Sequence, residues 1–298
     1  MKELTNQLRF PEGPIALDDG SVVLVEIERG TLSRVDPEGR IEIIADLGGG
    51  PNGAAMGPDG AVYVCNNGGF RWQDTPGFLV PAGTPEDYTT GRIERVELDT
   101  GRAEVLYTEC EGRRLNGPND IVFDQTGGMW FTDLGKTYDT YRDMGVVYYA
   151  RPDGSHISAQ IMHRETPNGI GLSPDEKTLY FAETITGRVW AYGISSPGEV
   201  DPASGRLLVG LPGFQLFDSL AVDGEGNVCV ATLINGGITV ISPDGGNVRH
   251  VPMDDPFTTN ICFGGNSLRT AFITLSSSGR LVATEWDTPG LPLNFLNT

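Results

Sequence analysis

The sequence lacks long apolar runs and is poor in basic residues. None of its apolar runs approaches the ~20 residues of a membrane-spanning helix. Residues 1–5 carry neither the apolar segment nor the cleavage site of an export signal. With 40 acidic against 21 basic residues the net charge is −19, which disfavours nucleic acid and anionic membranes as partners. We therefore expect a cytoplasmic protein.

Residues for nucleophilic or thiol chemistry are also scarce. The four cysteines are Cys65, Cys110, Cys229 and Cys262, and the three histidines are His156, His163 and His250. The cysteines show no CxxC spacing and mostly fall on predicted strands, so we expect buried free thiols. No GxSxG motif occurs, and the histidines fall on predicted outer strands or turns. A Ser-His-Asp hydrolase is therefore not indicated.

A repeat of short strands runs through the chain. In each unit a turn, usually carrying Pro or Gly, places one polar residue at the start of a strand; an apolar stretch, another turn and a second strand follow. The six polar residues are Glu12, Asn52, Asn119, Asn168, Asp218 and Asn260. They are 40, 67, 49, 50 and 42 residues apart. Repeats of roughly 40 to 50 residues built only from strands are typical of propeller blades.

The predicted fold is all-β: a six-bladed β-propeller with four antiparallel strands per blade, formed by residues 1–298 as a single domain. The 41 glycines and 20 prolines fit an architecture with many tight turns, and no periodic helical segment stands out. Closing such a ring usually requires the last blade to borrow a strand from the opposite terminus. Residues 4–10 are the favoured source, and residues 291–295 are the alternative.

Two long loops are predicted on the face that carries the polar residues. Strand direction places the loop between the second and third strands of every blade on that face. The long ones are residues 66–91, with Asn67 and Trp72, and residues 133–145, with two tyrosines. Aromatic-rich loops there would wall or cover a pocket, so Asn67 and Trp72 are predicted to contact substrate. A tolerated surface insertion is the other interpretation of residues 66–91.

Radially arranged blades would bring the polar residues together at one mouth of the central channel. Glu12, Asn119, Asn168 and Asp218 offer two carboxylates and two amide oxygens, without a thiolate or imidazole. Such hard donors suit Ca²⁺, Mg²⁺ or Mn²⁺, and the two carboxylates offset the charge of a divalent ion. Each residue alone is explained by its turn, but four at equivalent repeat positions predict a metal site at the central channel.

The motifs that open four of the blades resemble those of the SMP-30/gluconolactonase/luciferin-regenerating-enzyme family. They are Pro11-Glu12-Gly13-Pro14, Gly117-Pro118-Asn119-Asp120, Pro167-Asn168-Gly169 and Asp218-Ser219-Leu220. The likeness covers nearly the whole chain, including Met129-Trp130-Phe131-Thr132-Asp133 and Asn235-Gly236-Gly237. The resemblance implies a six-bladed propeller with a divalent cation in the channel, often Ca²⁺ and sometimes Zn²⁺ or Mg²⁺. Most characterised members hydrolyse lactones, and related propellers hydrolyse organophosphates.

The resemblance also implies roles for individual residues. Glu12, Asn168 and Asp218 match the family's principal metal ligands. Asn119 matches the residue that contacts metal or substrate, and Ser219 matches a serine of the bacterial lactonases.

One position departs from the family pattern. Gly117 stands where the animal gluconolactonases carry an arginine that holds a sugar-acid lactone. This departure argues against an aldonolactone substrate unless Arg71, Arg113 or Arg114 takes that role.

The remaining polar residues are expected around the site. Asp120 follows Asn119 on its strand, so strict alternation would turn its side chain away from the axis, and we expect it to orient a ligand. Asn52 and Asn260 occupy the two other ring positions and are expected to line the substrate pocket with Ser219.

Together these features predict a lactone-opening, gluconolactonase-like carboxylic-ester hydrolase that depends on one divalent cation. Ca²⁺ is the first choice, with Zn²⁺, Mg²⁺ or Mn²⁺ as alternatives; it would polarise the lactone carbonyl while Asp218, with Asn119 beside it, activates water. Asp218 as a direct nucleophile is the less favoured variant. The alternatives are another metal-dependent esterase or phosphotriesterase, or a non-catalytic propeller that binds calcium or a ligand. The pattern specifies neither the particular lactone or ester nor the oligomeric state.

Overall fold

The computed structural model describes residues 1–297. Over that range the chain forms strands, one 3₁₀-helix at Pro202–Ser204 and no α-helix, and no helix there is long and apolar enough to cross a membrane. In chain order the strands are β1 (Lys2–Thr5), β2 (Pro11–Ala16), β3 (Val22–Glu26), β4 (Thr31–Val35), β5 (Ile41–Asp46), β6 (Pro51–Met56), β7 (Val62–Asn66), β8 (Trp72–Thr75), β9 (Phe78–Pro81), β10 (Arg92–Val96), β11 (Ala103–Tyr107), β12 (Glu109–Cys110), β13 (Arg113–Arg114), β14 (Pro118–Phe123), β15 (Met129–Asp133), β16 (Gly145–Ala150), β17 (Ile157–Arg164), β18 (Pro167–Leu172), β19 (Thr178–Glu183), β20 (Arg188–Ser196), β21 (Glu199–Val200), β22 (Arg206–Gly210), β23 (Leu216–Val222), β24 (Val228–Leu233), β25 (Gly237–Ile241), β26 (Val248–Pro252), β27 (Thr258–Gly264), β28 (Thr270–Leu275) and β29 (Arg280–Glu285).

These strands form six antiparallel blades. Blade one is β2–β5, blade two is β6, β7, β10 and β11, and blade three is β14–β17. Blade four is β18, β19, β20 and β22, blade five is β23–β26, and blade six is β27, β28, β29 and β1. The short strand β21 pairs with the end of β20, and the hairpins β8–β9 and β12–β13 lie in loops between longer strands. The prediction of four strands per blade is confirmed.

The blades are arranged in a closed ring. The innermost strands β2, β6, β14, β18, β23 and β27 contact one another in that order, and β27 returns to contact β2. Apolar side chains fill the space between neighbouring sheets; between blades two and three, for example, the rings of Tyr63 and Phe123 are 5.1 Å apart. Both faces of most sheets are covered, which explains the continuous apolar runs of strands such as β3. The predicted six-bladed β-propeller is confirmed.

The N-terminal strand closes the ring, as predicted, but over different residues. β1 pairs with β29 of blade six, where Lys2 lies opposite Ala283. The prediction of residues 4–10 was wrong in its bounds, because residues 6–10 make the connection from this outer edge back to the channel, where β2 begins. The four cysteines are free and buried, as expected.

The C-terminal tail crosses the mouth of the channel at the far ends of the innermost strands. Leu291 N donates to Val222 O at 3.2 Å, Asn294 Nδ2 donates to Phe123 O at 3.1 Å, and Asn297 Nδ2 donates to Ala16 O at 3.1 Å. These acceptors belong to β23, β14 and β2. A cavity of about 370 Å³ lies in the channel and is lined by residues of both the tail and the innermost strands.

Every innermost strand has a break in register where it begins. The breaks fall between Glu12 and Ile15, Pro51 and Ala54, Pro118 and Ile121, Pro167 and Ile170, Phe217 and Leu220, and Thr258 and Asn260. Each break lies at or next to one of the six polar residues. A β-bulge sets two residues against one on the neighbouring strand and re-aims the side chains. The repeat therefore carries a bulge as well as a polar residue at each blade's inner edge.

Gly169 lies in the bulge of β18, and its replacement by alanine is expected to destabilise the ring strongly. A Cβ at this position would lie 2.5 Å from Leu220 N and 2.7 Å from Asp218 O. Because both contacts are to backbone, blades four and five would have to separate. We expect Gly169→Ala to reduce the free energy of unfolding by about 3 kcal/mol or more, measured by urea denaturation.

A matched substitution on an outer strand provides the control. At Gly210 in β22 the nearest atom to an added Cβ is Arg188 Cγ, at 3.5 Å. Gly210→Ala should therefore change the free energy of unfolding by less than about 0.5 kcal/mol. Equal urea midpoints for the Gly169→Ala protein and the wild type would contradict the role given to the bulge.

Candidate metal centre and active site

Three carboxylates gather at the mouth where the innermost strands begin. Glu12 and Asp120 are buried, whereas Asp218 is partly exposed. Burial, followed by the negative charge of Glu12, raises the pKa of Asp120 to about 7 and the pKa of Asp218 well above its usual value. These residues lie where the innermost strands of blades one, three and five begin, so the closed ring of strands brings the three carboxylates to one mouth of the channel.

Glu12 is fixed by a neighbouring blade. Its Oε2 accepts hydrogen bonds from Asn260 Nδ2 at 2.7 Å and from Gly13 N at 2.8 Å. Burial raises the pKa of Glu12 to about 7, although these two hydrogen bonds oppose the rise. Asn260 therefore orients Glu12 in this structure, and the predicted contact of Asn260 with substrate stays a prediction.

Two amide side chains at the openings of neighbouring blades offer further oxygen atoms. Asn168 Nδ2 donates to Thr184 Oγ1 at 3.0 Å, so the Asn168 oxygen faces Ser219, whose Oγ lies 3.4 Å away. Asn119 Oδ1 is buried and accepts no hydrogen bond from any residue in 1–297. A buried carbonyl oxygen without a donor is destabilising by about 1–3 kcal/mol, so this atom is suited to a bound cation.

The donor set fits a hard divalent cation. Within residues 1–297 there is no group of three or more His, Cys, Asp or Glu side chains arranged to hold a metal ion, so a site here has to include amide oxygens. Glu12 and Asp218 would supply two charges, and Asn119 and Asn168 two neutral oxygens. Oxygen ligands of this kind suit Ca²⁺ or Mg²⁺.

The orientation predicted for Asp120 is wrong. Its Oδ2 accepts from Ile170 N at 3.2 Å and its Oδ1 from Ile121 N at 3.0 Å, and the side chain lines the channel cavity. Ile170 belongs to the next blade, so the Asp120 carboxylate faces inward. Alternation fails because Asn119 and Asp120 lie together in the bulge of β14. Its predicted role in orienting a ligand stays a prediction.

The long loop of blade two, residues 66–91, reaches across the mouth face to blades one and six. Leu79 N in its hairpin donates to Ser277 O at 2.9 Å. Trp72 packs against Phe10, with 5.1 Å between ring centroids. Trp72 thus attaches the hairpin to blade one, and its predicted contact with substrate is not needed to explain its position.

A buried lysine joins this loop to residues 133–145. Lys136 is 1% exposed, and its Nζ donates to Asn67 O at 2.9 Å and to Gly69 O at 2.6 Å. The ammonium also lies 4.7 Å from the ring centroids of Phe70 and Tyr88, a cation–π arrangement. Asn67 is buried, and its Nδ2 has no hydrogen-bond partner among residues 1–297. Sequence reasoning missed Lys136, since no local pattern predicts contact between the two loops.

The structure leaves no room for an arginine at Gly117. A Cβ at this position would lie 2.5 Å from Gly135 O. Among the arginines considered as substitutes, Arg71 forms a salt bridge with Asp139 at 3.0 Å, and the other two form the exposed strand β13.

Asn52 is buried at its ring position. Sequence reasoning also missed Thr184, which sets the amide orientation of Asn168.

The chain is similar in sequence and in fold to known proteins. The sequence profile described as the SMP-30/Gluconolactonase/LRE-like region matches residues 10–277. A gluconolactonase of Zymomonas mobilis is 27% identical over 95% of this chain and 80% of its own length. The lactonase drp35 of Staphylococcus saprophyticus is 27% identical over 84% of this chain and 72% of its own length. The fold is shared with regucalcin of Agrobacterium tumefaciens, described as a calcium-binding protein, with a TM-score of 0.77, 17% identity, and coverage of 100% of this chain and 97% of that one.

Proposed function

Because the chain belongs to the SMP-30/gluconolactonase/LRE-like family, we propose that it is a hydrolase that opens lactone rings at the mouth of its channel. Relatives named gluconolactonase and lactonase support this reaction class. For this chain, the lactonase proposal is supported by the set of oxygen donors from different blades, which includes a buried Asn119 Oδ1 without a hydrogen-bond donor. A propeller that only scaffolds partners has no need of such a set.

The proposed cofactor is one divalent cation, with Ca²⁺ as the first choice and Zn²⁺, Mg²⁺ or Mn²⁺ as alternatives. Glu12, Asn119, Asn168 and Asp218 would hold it. A bound divalent cation would supply Lewis-acid polarisation of the lactone carbonyl. Asn260 and Thr184 would keep the ligands Glu12 and Asn168 in position, since their hydrogen bonds fix these side chains.

Asp218 is the proposed general base. It is the one partly exposed carboxylate of the three, so water and substrate reach it while Glu12 and Asp120 stay enclosed. One of its oxygens would take a proton from the water that attacks the carbonyl carbon, and would return it to the ring oxygen as the acyl C–O bond breaks. Ser219, Asn52 and Asn67 are proposed to contact the substrate around this point.

A pH-indicator assay on a panel of lactones tests the proposal and its cation dependence together. Ring opening releases a proton, so we expect acidification with the untreated protein, at least about 10²-fold slower release after chelation, and recovery when Ca²⁺, Mg²⁺, Mn²⁺ or Zn²⁺ is restored. A linear ester and a phosphotriester serve as comparison substrates. Lactone turnover that is unaffected by chelation would rule out the cation, and turnover of the phosphotriester alone would rule out the lactonase.

A further inference from the structure

Three large apolar side chains are exposed on the mouth-side loops of blades four and five. Ile185 is 41% exposed, Phe214 is 74% exposed and Ile234 is 44% exposed. A single exposed apolar residue is ordinary. These three call for an explanation because their loops adjoin one another and the site.

The three loops are joined by backbone pairing. Phe217 N donates to Thr184 O at 3.3 Å, which ties the loop after β19 to the start of β23. Leu216 pairs with Leu233 across β23 and β24, so the residues that precede and follow this pair, including Phe214 and Ile234, lie at the same end of blade five.

The same loops lie against two of the proposed cation ligands. Ile185 follows Thr184, whose Oγ1 accepts the hydrogen bond from Asn168 Nδ2 at 3.0 Å. Asp218 follows Phe217, the residue bonded to Thr184. The exposed apolar side chains therefore flank the Asn168 and Asp218 side of the mouth.

Isoleucine is an unfavourable residue at position 234, because of both the backbone conformation and the exposure to solvent. Its φ is +72°, in the left-handed region that β-branched residues rarely adopt and that asparagine or glycine adopts more readily. An asparagine would suit this backbone and the solvent better. Backbone strain of this kind is concentrated at functional sites, and an exposed isoleucine there is explained if a ligand covers it.

Two arginines of the mouth-side loops are already paired. Arg164 Nη2 is 2.8 Å from Glu183 Oε1, and Arg71 is bonded to Asp139. No side chain fits at Gly117. These two arginines and the Gly117 position therefore offer an anionic substrate no free cationic partner.

We propose that Ile185, Phe214 and Ile234 form an apolar subsite that binds an alkyl or aryl substituent of the lactone. The inference rests on the proposed function and narrows its substrate class to lactones with an apolar substituent, in place of sugar lactones. Contact with the substituent removes apolar surface of both partners from water, which favours binding in proportion to the area covered.

Three lactones with the same ring size test the preference in the wild-type protein. They are δ-valerolactone, which has no substituent, δ-decalactone, which has a pentyl chain, and glucono-δ-lactone. We expect kcat/KM for δ-decalactone to exceed that for each of the other two by at least about tenfold. A preference for glucono-δ-lactone, or equal values for the three, would overturn the subsite and leave the lactonase intact. Turnover of none of the three, in the presence of the divalent cations, would overturn both.

The substitution Ile234→Asn separates a substrate contact from a structural role. It should lower kcat/KM for δ-decalactone by about fivefold or more, mainly through KM, with little change for δ-valerolactone. The melting temperature should stay the same or rise, since asparagine accepts the left-handed backbone. Phe214→Ser should act in the same direction. Leu207→Ser, at an exposed leucine on the outer strand β22, is the control. It should leave the ratio of kcat/KM for δ-decalactone to kcat/KM for δ-valerolactone unchanged. An unchanged ratio of the two kcat/KM values in Ile234→Asn and Phe214→Ser would overturn the subsite.

Discussion

Replacing Asp218 with asparagine is expected to reduce lactone hydrolysis by at least about 10³-fold while the propeller remains folded. General-base catalysis contributes about 10²–10⁴-fold, and the substitution also removes one of the two charges proposed to hold the cation. Asparagine has nearly the same shape, so the packing of β23 is preserved. The rate with δ-lactones, measured at saturating divalent cation, checks the loss of activity, and circular dichroism checks the fold.

Two further variants make this result specific. Asp244→Asn changes an exposed carboxylate in the turn between β25 and β26 and should retain full activity. Asp120→Asn tests whether the second inward carboxylate acts as a base, and we expect a smaller loss than for Asp218→Asn. Retention of more than about a tenth of the activity in Asp218→Asn would remove this residue from the role of base.

Removal of the cation is expected to make the protein's stability fall as pH rises from about 4.5 to 7. In the cation-free fold, burial raises the pKa of Glu12 and of Asp120 to about 7, whereas the unfolded chain ionises near pH 4. Between these values the unfolded state binds fewer protons than the folded state, so the free energy of unfolding decreases as pH increases. Above pH 7 both carboxylates are ionised in the folded state, and the full loss of stability from burying their charges is present.

A divalent cation should cancel this penalty, because it favours the ionised carboxylates. The rise in melting temperature caused by 1 mM Ca²⁺ over chelator should therefore grow between pH 5 and pH 8, to about 5 °C or more. Taking the difference at each pH removes the contribution of groups distant from the site. The Glu12→Gln variant, which lacks one of the repelling charges, should show a smaller difference at pH 8. A cation effect that does not change with pH would contradict the proposed carboxylate cluster.

The fold could be predicted from the sequence because the repeat carries its own strand pattern. Each blade has an apolar inner strand that begins with a polar residue and ends in a turn, and the positions recur often enough to count six units. Ring geometry then predicts that Glu12, Asn119, Asn168 and Asp218 meet at one mouth, without knowledge of any contact. Distant residues meet here because the blades are arranged around a common axis.

The errors arose where the backbone departs from regular alternation. The inward position of Asp120 depends on the bulge in β14, and a bulge of this kind has no residue signature that distinguishes it from a continuous strand. The contact of Lys136 with the 66–91 loop depends on how two insertions from different blades meet. Contacts of this kind are set by tertiary packing alone.

Some of the acidic residues that make the chain negatively charged have a structural role, which the composition alone does not show. Several buried carboxylates hold the mouth-side loops in place. Glu26 Oε2 accepts from Arg9 N at 2.8 Å, Asp133 Oδ1 accepts from Gly117 N at 2.6 Å, and Glu183 Oε2 accepts from Thr186 Oγ1 at 2.8 Å. Part of the negative charge therefore anchors loops near the site, while the rest lies on the surface.

The pairing of β1 with β29 has a consequence for biosynthesis. The other five blades lie between β1 and its partner β29 in the chain, so blade six stays incomplete until β29 has been synthesised. Nascent blades one to five can form their local hairpins during translation, but the ring closes only once β29 has emerged. Contacts between such distant segments slow folding, and the unpaired edges of the waiting blades are then the surfaces most exposed to aggregation and to chaperones.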